Sequence, residues 1–175
     1  MSIIIVEGVD GSGKTILLRR LREQSSRYFW VALSSGRPKT LEEIHDAVHF
    51  IGQCAYLKLP VICDRFPLIS EEVYGPTLRG TSLLNDLSHR QQEISANFLL
   101  ENTERIVYCK PPKETIIKNL TEGGIPQLPG VLENLDELLD RYEGIITTLK
   151  DKGVPVYRYD YTRDHTPLDE VFFGG

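Results

Sequence analysis

Residues 3–6 form an unbroken β-branched run, Ile3-Ile4-Ile5-Val6, and glycines stand at positions 8, 11 and 13 directly after it. Lys14 and Thr15 follow, then leucines at 17, 18 and 21 with arginines between them. A continuous apolar run of this kind reads as a strand buried on both faces, and the leucine spacing reads as one face of a helix. The segment from Gly8 to Thr15 fills every fixed position of the pattern G-x-x-x-x-G-K-[ST]. In such a loop, glycines let the backbone curl until several N–H groups converge on phosphate oxygens. The helix that follows aims the positive end of its dipole at the same point. Gly11, Ser12 and Gly13 would line the cradle, Lys14 would reach the β- and γ-phosphates, and the Thr15 hydroxyl would ligate Mg²⁺.

The remaining chain alternates strand-like and helix-like segments. Strands are expected over 28–33, 59–63, 105–109 and 154–159, and helices over 41–57, 83–100, 113–120 and 132–149, with a weak helix at the end. Residues 66–82, broken by glycine and proline, read as irregular. The alternation predicts an α/β fold with a parallel sheet covered on both faces. The length of 175 residues, without repeat or compositional break, suits one domain over 1–175.

With 41% hydrophobic and 26% charged residues the composition is globular, and a net charge of −5 speaks against a broad nucleic-acid surface. Cys54, Cys63 and Cys109 sit in apolar surroundings and form no CxxC pair. Neither zinc nor a disulfide framework is expected, and a reducing, cytoplasmic setting fits. The N-terminus carries no basic leader, and no stretch approaches the roughly 20 apolar residues of a membrane span.

A phosphate loop alone does not name a reaction. The Asn-Lys-x-Asp segment of guanine readers is absent. The run Leu59 to Cys63 ends in Asp64-Arg65, and ligands of open parallel sheets gather beyond the carboxyl ends of strands. Asp64 is therefore a candidate to position Mg²⁺ or its waters, and Arg65 offers a fork suited to a phosphate.

Together these motifs resemble the thymidylate kinases and their viral relatives. Glu7-Gly8-Val9-Asp10-Gly11-Ser12-Gly13-Lys14-Thr15 is similar to that family's first motif. Asp64-Arg65-Phe66, followed by Ser70 and Tyr74, is similar to its Asp-Arg-(Tyr/His/Phe) motif. Tyr108-Cys109-Lys110-Pro111-Pro112-Lys113-Glu114 resembles the turn into its lid helix. The resemblance implies a three-layer P-loop kinase fold with a five-stranded parallel sheet of order 2-3-1-4-5. A mobile lid is expected near 113–131, where 123–130 is rich in glycine and proline. It also implies transfer of the γ-phosphoryl group of ATP, with Mg²⁺, to a nucleoside monophosphate, typically dTMP, with broader dNMP use open. Arg65 would hold the acceptor phosphate, Asp10 and Asp64 would stand near metal and acceptor, and Tyr74 would lie against the deoxyribose. A homodimer through helices beside the sheet is the family habit.

The chain departs from the family pattern in three places. Ser34-Ser35-Gly36-Arg37-Pro38 replaces the usual Arg-Glu-Pro-Gly, leaving Arg37 to face the acceptor phosphate. Ser70 and Tyr74 each fall one residue later than usual, and Arg79 nearby is either an extra substrate contact or a solvated loop residue. The lid carries no arginine over 113–135, so Lys118 and Arg141 are the candidate substitutes, with Gln127 as a polar alternative. Phe50, with Gln53, is a candidate to stack on the base or else part of the core. His45 and His49 read as a solvated or packed pair, and Arg19, Arg20 and Arg22 as a solvated helix face.

Two alternatives stand beside the monophosphate kinase. A deoxynucleoside kinase would use a general base at the end of the second strand, and residues 33–38 hold no carboxylate. A nucleotide-binding protein without catalysis would also need the phosphate loop.

Overall fold

The computed structural model describes residues 3–24, 29–31, 38–123 and 128–173. Five strands form one sheet in the order β2-β3-β1-β4-β5. They are β1 (Ile3–Glu7), β2 (Phe29–Val31), β3 (Val61–Asp64), β4 (Thr103–Cys109) and β5 (Val156–Tyr159). All pairings are parallel, as the strand-helix alternation predicts. The helices are α1 (Lys14–Gln24), α2 (Leu41–Tyr56), α3 (Pro67–Arg79), α4 (His89–Asn102), α5 (Lys113–Glu122), α6 (Leu135–Asp151) and α7 (Leu168–Phe173).

β1 is the central strand, and its β-branched run is buried throughout. Alternate residues serve different cores. Ile3 and Ile5 join residues of α2, α3 and α6, whereas Ile4 and Val6 join α1 and α7. That two-sided burial is why the run is continuous rather than alternating. No helix among the described residues is long and apolar enough to cross a membrane.

Two expectations need correction. Residues 66–82 are not irregular: α3 fills most of that span. Pro67 sits at the start of the helix, where its missing N–H costs nothing. Gly75 packs so closely on the Glu71 carboxylate that a Cβ there would collide. Gly80 closes the helix in the left-handed conformation, at φ 76°. Pro76 lies inside and removes one donor, yet the helix persists on its packing. The single helix expected over 83–100 is instead a 3₁₀ turn, Leu83–Asp86, and a separate α4. Leu87 is extended between them, and Ser88 starts α4 with a capping box in which Gln91 bonds back.

At the far end of the sheet, Glu143 of α6 accepts from Lys110 Nζ at 2.7 Å and from Arg158 Nη1 at 2.9 Å. Hydrogen bonds from Arg158 and then Lys110 hold its carboxyl down at about 2, against an ordinary 4.5. A lowered pKa means stability that is present above about pH 4.5 and lost as pH falls towards 2. The melting temperature of wild type should therefore exceed that of Glu143→Gln near neutrality and converge on it below pH 4. A gap that stays constant down to pH 2.5 would contradict the assignment.

Candidate active site

The phosphate loop leaves β1 at Gly8, whose φ is 145°. A Cβ there would lie 2.5 Å from the Cys109 carbonyl oxygen of β4, so only glycine fits between the two strands. Gly13 has φ 89°, and its Cα faces the Tyr161 ring, where a Cβ would come within 2.7 Å. Ser12 N–H donates to the Val9 carbonyl at 3.1 Å, which curls the loop before α1 begins at Lys14.

Lys14 folds back across this loop. Its Nζ donates to the carbonyls of Gly8 at 2.6 Å and Val9 at 2.8 Å, and to Ser12 Oγ at 3.4 Å. Burial, and then the nearby Arg65 charge, bring its pKa down to about 8, while Asp10 and Asp64 pull in the other direction. Both carboxylates thus share the neighbourhood of this ammonium.

Arg65 comes immediately after β3 with φ 71°, a backbone conformation unusual for a side-chain-bearing residue. Its N–H donates to the Val6 carbonyl at 3.0 Å, placing it over the end of the central strand. Nη2 is ion-paired with Asp10 of the phosphate loop, and Nη1 donates to the Tyr142 hydroxyl at 3.2 Å. The guanidinium lies 5.0 Å from the centre of the Tyr74 ring. The Tyr74 hydroxyl accepts the Asp10 N–H at 3.1 Å. Lys14, Asp10, Asp64, Arg65 and Tyr74, picked from separate stretches of sequence, therefore meet at the carboxyl ends of β1 and β3.

Glu7 belongs to the same cluster and was not among the expected site residues. It is fully buried. Oε1 accepts the Phe66 N–H at 2.6 Å, and Oε2 accepts the Tyr142 hydroxyl at 3.0 Å. Burial pushes its carboxyl up from the ordinary range, while Arg65, the Phe66 N–H, Lys14 and Tyr142 draw it back. A carboxylate continuing a wholly apolar strand was the available sequence signal.

Asn119 of α5 was also missed. Its Nδ2 donates to the Gly11 carbonyl at 2.7 Å and to the Tyr161 hydroxyl at 2.8 Å. The phosphate loop is therefore tied to α5, the first helix of the expected lid, and to the segment after β5.

Other expected residues stand elsewhere. Arg79 is ion-paired with the buried Glu71 and donates to the Pro38 carbonyl at 3.3 Å, so its guanidinium joins α3 to the segment before α2. Phe50 is 45% exposed, at the edge of the buried face of α2 and one turn before the buried Cys54. Of the lid candidates, Arg141 pairs with Glu137 at 2.9 Å, and Lys118 lies 4.0 Å from Glu122. Arg37 and Gln127 lie outside the described residues.

The donor set suits Mg²⁺. That ion takes one or two protein oxygens together with substrate phosphates rather than a complete protein cage. Thr15 is exposed in the first turn of α1, and the half-buried Asp64 pairs in register with Val6 beside the loop.

No protein-family model and no curated protein matches the chain. Among solved structures it superposes on the YorR protein of Bacillus subtilis, described in complex with phosphorylated GDP. The TM-score is 0.67 at 22% identity, covering 94% of this chain and 88% of that one. The chain has the P-loop kinase fold. Deoxyadenosine kinase from M. mycoides with bound dATP superposes with a TM-score of 0.54 at 16% identity, covering 94% and 93%. The same enzyme with products dCMP and a flexible dCDP gives 0.54 at 14%, covering 93% and 91%. In this P-loop kinase fold the cluster around Lys14 and Arg65 occupies the crevice at the carboxyl ends of the strands.

Proposed function

We propose that the chain is a Mg·ATP-dependent nucleotide kinase that phosphorylates a deoxynucleoside monophosphate, with dTMP the first candidate and other dNMPs within range. One observation carries this reading: two cations gather about Asp10, the half-buried Arg65 in an ion pair with it and the buried Lys14 within reach of its charge. One cation serves the donor phosphates and the other the acceptor phosphate. A monophosphate acceptor is already ionised, so positioning and charge stabilisation suffice for transfer.

In this mechanism the loop N–H groups and Lys14 hold the β- and γ-phosphates. Phosphate oxygens replace the Gly8 and Val9 carbonyls as partners of the ammonium. Arg65 releases Asp10 and takes the acceptor phosphate, and Tyr74 bounds the sugar. Thr15 and Asp64 would hold Mg²⁺, which would supply charge neutralisation for the donor phosphates.

A deoxynucleoside acceptor is the second reading, supported by the likeness to deoxyadenosine kinase. Against it, residues 33–38 carry no carboxylate, Glu7 is engaged at both oxygens, and Asp10 is ion-paired. A coupled assay of ADP release over all dNMPs, NMPs and deoxynucleosides separates the readings. Turnover with monophosphates supports ours; turnover with nucleosides alone overturns it. Absence of turnover with every acceptor would favour a nucleotide-binding protein without catalysis. A cytoplasmic homodimer belongs to the same proposal, and light scattering in solution tests the dimer.

A pH dependence follows from Lys14. A lysine lowered to about 8 loses its charge as pH rises through that value in the free protein. kcat/KM for ATP, which reports the free enzyme, should decline above about pH 8. kcat should decline later, because bound phosphates favour the ammonium. A kcat/KM that stays flat to pH 9.5 would contradict this assignment.

A further inference from the structure

We infer that Glu7 and Tyr142 form a buried relay that fixes Arg65 for the acceptor phosphate, with Tyr142 of α6 as a positioning residue. The inference rests on the monophosphate-kinase reading and adds to it two residues that touch no substrate.

Arg65 is held at its main chain and at its side chain, and Glu7 stands behind both. The Phe66 N–H, next along the chain from Arg65, donates to Glu7 Oε1 at 2.6 Å. Together with the Arg65 N–H bond to Val6, this pins the backbone on either side of an unfavourable φ of 71°. Glu7 Oε2 accepts the Tyr142 hydroxyl, and the Tyr142 oxygen accepts Arg65 Nη1. The direction of these bonds is fixed by chemistry. A guanidinium only donates, so the Tyr142 oxygen accepts from it and turns its own proton towards Glu7.

The two halves of the guanidinium therefore differ. Nη1 faces a tyrosine that is fully buried, and Nη2 faces Asp10, whose side chain is 22% exposed. The buried half is anchored, and the half on Asp10 is the one an incoming phosphate can take. Tyr142 is held in turn by edge contact with Tyr74, at 6.1 Å between ring centres, and by Tyr108 at 5.9 Å. A neutral acceptor would satisfy the Phe66 N–H without burying a carboxylate, so satisfying that donor alone does not explain Glu7.

Tyr142→Phe keeps the ring and its packing and removes the hydroxyl alone. With the protein folded, KM for the monophosphate should rise roughly 3- to 10-fold, the worth of one hydrogen bond, while KM for ATP stays unchanged. Glu7→Gln should reproduce the same split. The double variant should be no worse than either single one, because the residues act in series. Additive effects, or an equal rise in both KM values, would overturn the relay.

If wild type phosphorylates no monophosphate, the functional reading fails and the relay is judged separately. ¹⁵N NMR of the arginine side chains then decides it. Slow rotation and slow proton exchange at the Arg65 guanidinium in wild type, lost in Tyr142→Phe, would support the relay. Identical Arg65 signals in the two proteins would overturn it.

Discussion

Lys14→Ala should lower phosphoryl transfer by roughly 10²–10³-fold while leaving the protein folded, the usual effect of removing one preorganised charge from a developing anion. That loss corresponds to about 3–4 kcal/mol of transition-state stabilisation. Lys14 stands at the first position of α1, and its ammonium is enclosed by the carbonyls of Gly8 and Val9. Beside the bonds from Lys14, the loop is shaped by glycines and by close contact with Cys109 and Tyr161, which the substitution leaves in place. The circular dichroism spectrum and melting transition should therefore persist. Retained transfer activity in the folded variant would refute the role assigned to Lys14, and a collapsed melting transition would show that the loop depends on it structurally.

Arg65 should be nearly as sensitive, with a different kinetic signature. Arg65→Lys keeps a positive charge but cannot present a planar fork or reach Tyr142 and Asp10 together. KM for the monophosphate should rise roughly 10- to 100-fold, as expected for a lost charge-assisted hydrogen bond, with a smaller change in KM for ATP. Arg65→Ala removes the countercharge of Asp10 and the donor to Tyr142, so it should also destabilise the fold by roughly 3 kcal/mol. A KM for the acceptor unchanged in Arg65→Lys would place the acceptor phosphate elsewhere, and Arg37 would be the next residue to vary.

The parts of this site that were legible in the sequence are those whose residues lie close together along the chain. Gly8 to Thr15 is one continuous loop, and it demands a buried strand before it and a helix after it. Asp64-Arg65 was legible because a short apolar run stops at a charged pair. α3 was not, because Pro67 and Pro76 read as breaks. One starts the helix and the other is tolerated within it, on the strength of buried contacts such as Ile69, Val73 and Tyr74. Tyr142 could not be found from sequence, since it reaches Glu7 across 135 positions and a tyrosine on an amphipathic helix has no local mark. Asn119, 108 positions from Gly11, was hidden for the same reason. Arg79 misled in the opposite way. Its guanidinium reaches back two turns along its own helix to Glu71, a contact with no sequence signature of its own.

Glu7, Asp10, Lys14 and Arg65 bring two carboxyl groups and two cationic side chains together before any substrate arrives. In the proposed mechanism substrate phosphates would enter by exchange, the Gly8 and Val9 carbonyls giving up Lys14 and Asp10 giving up Arg65. Two phosphate sites, one on each cation, are what the proposal requires of a monophosphate acceptor and not of a nucleoside.

The direct measurement uses γ-labelled ATP with Mg²⁺ and either dTMP or thymidine, followed by separation of the labelled products. Label in dTDP, with thymidine left unlabelled, is the predicted result. Label in thymidine monophosphate, with none transferred to dTMP or any other deoxynucleoside monophosphate, would contradict it.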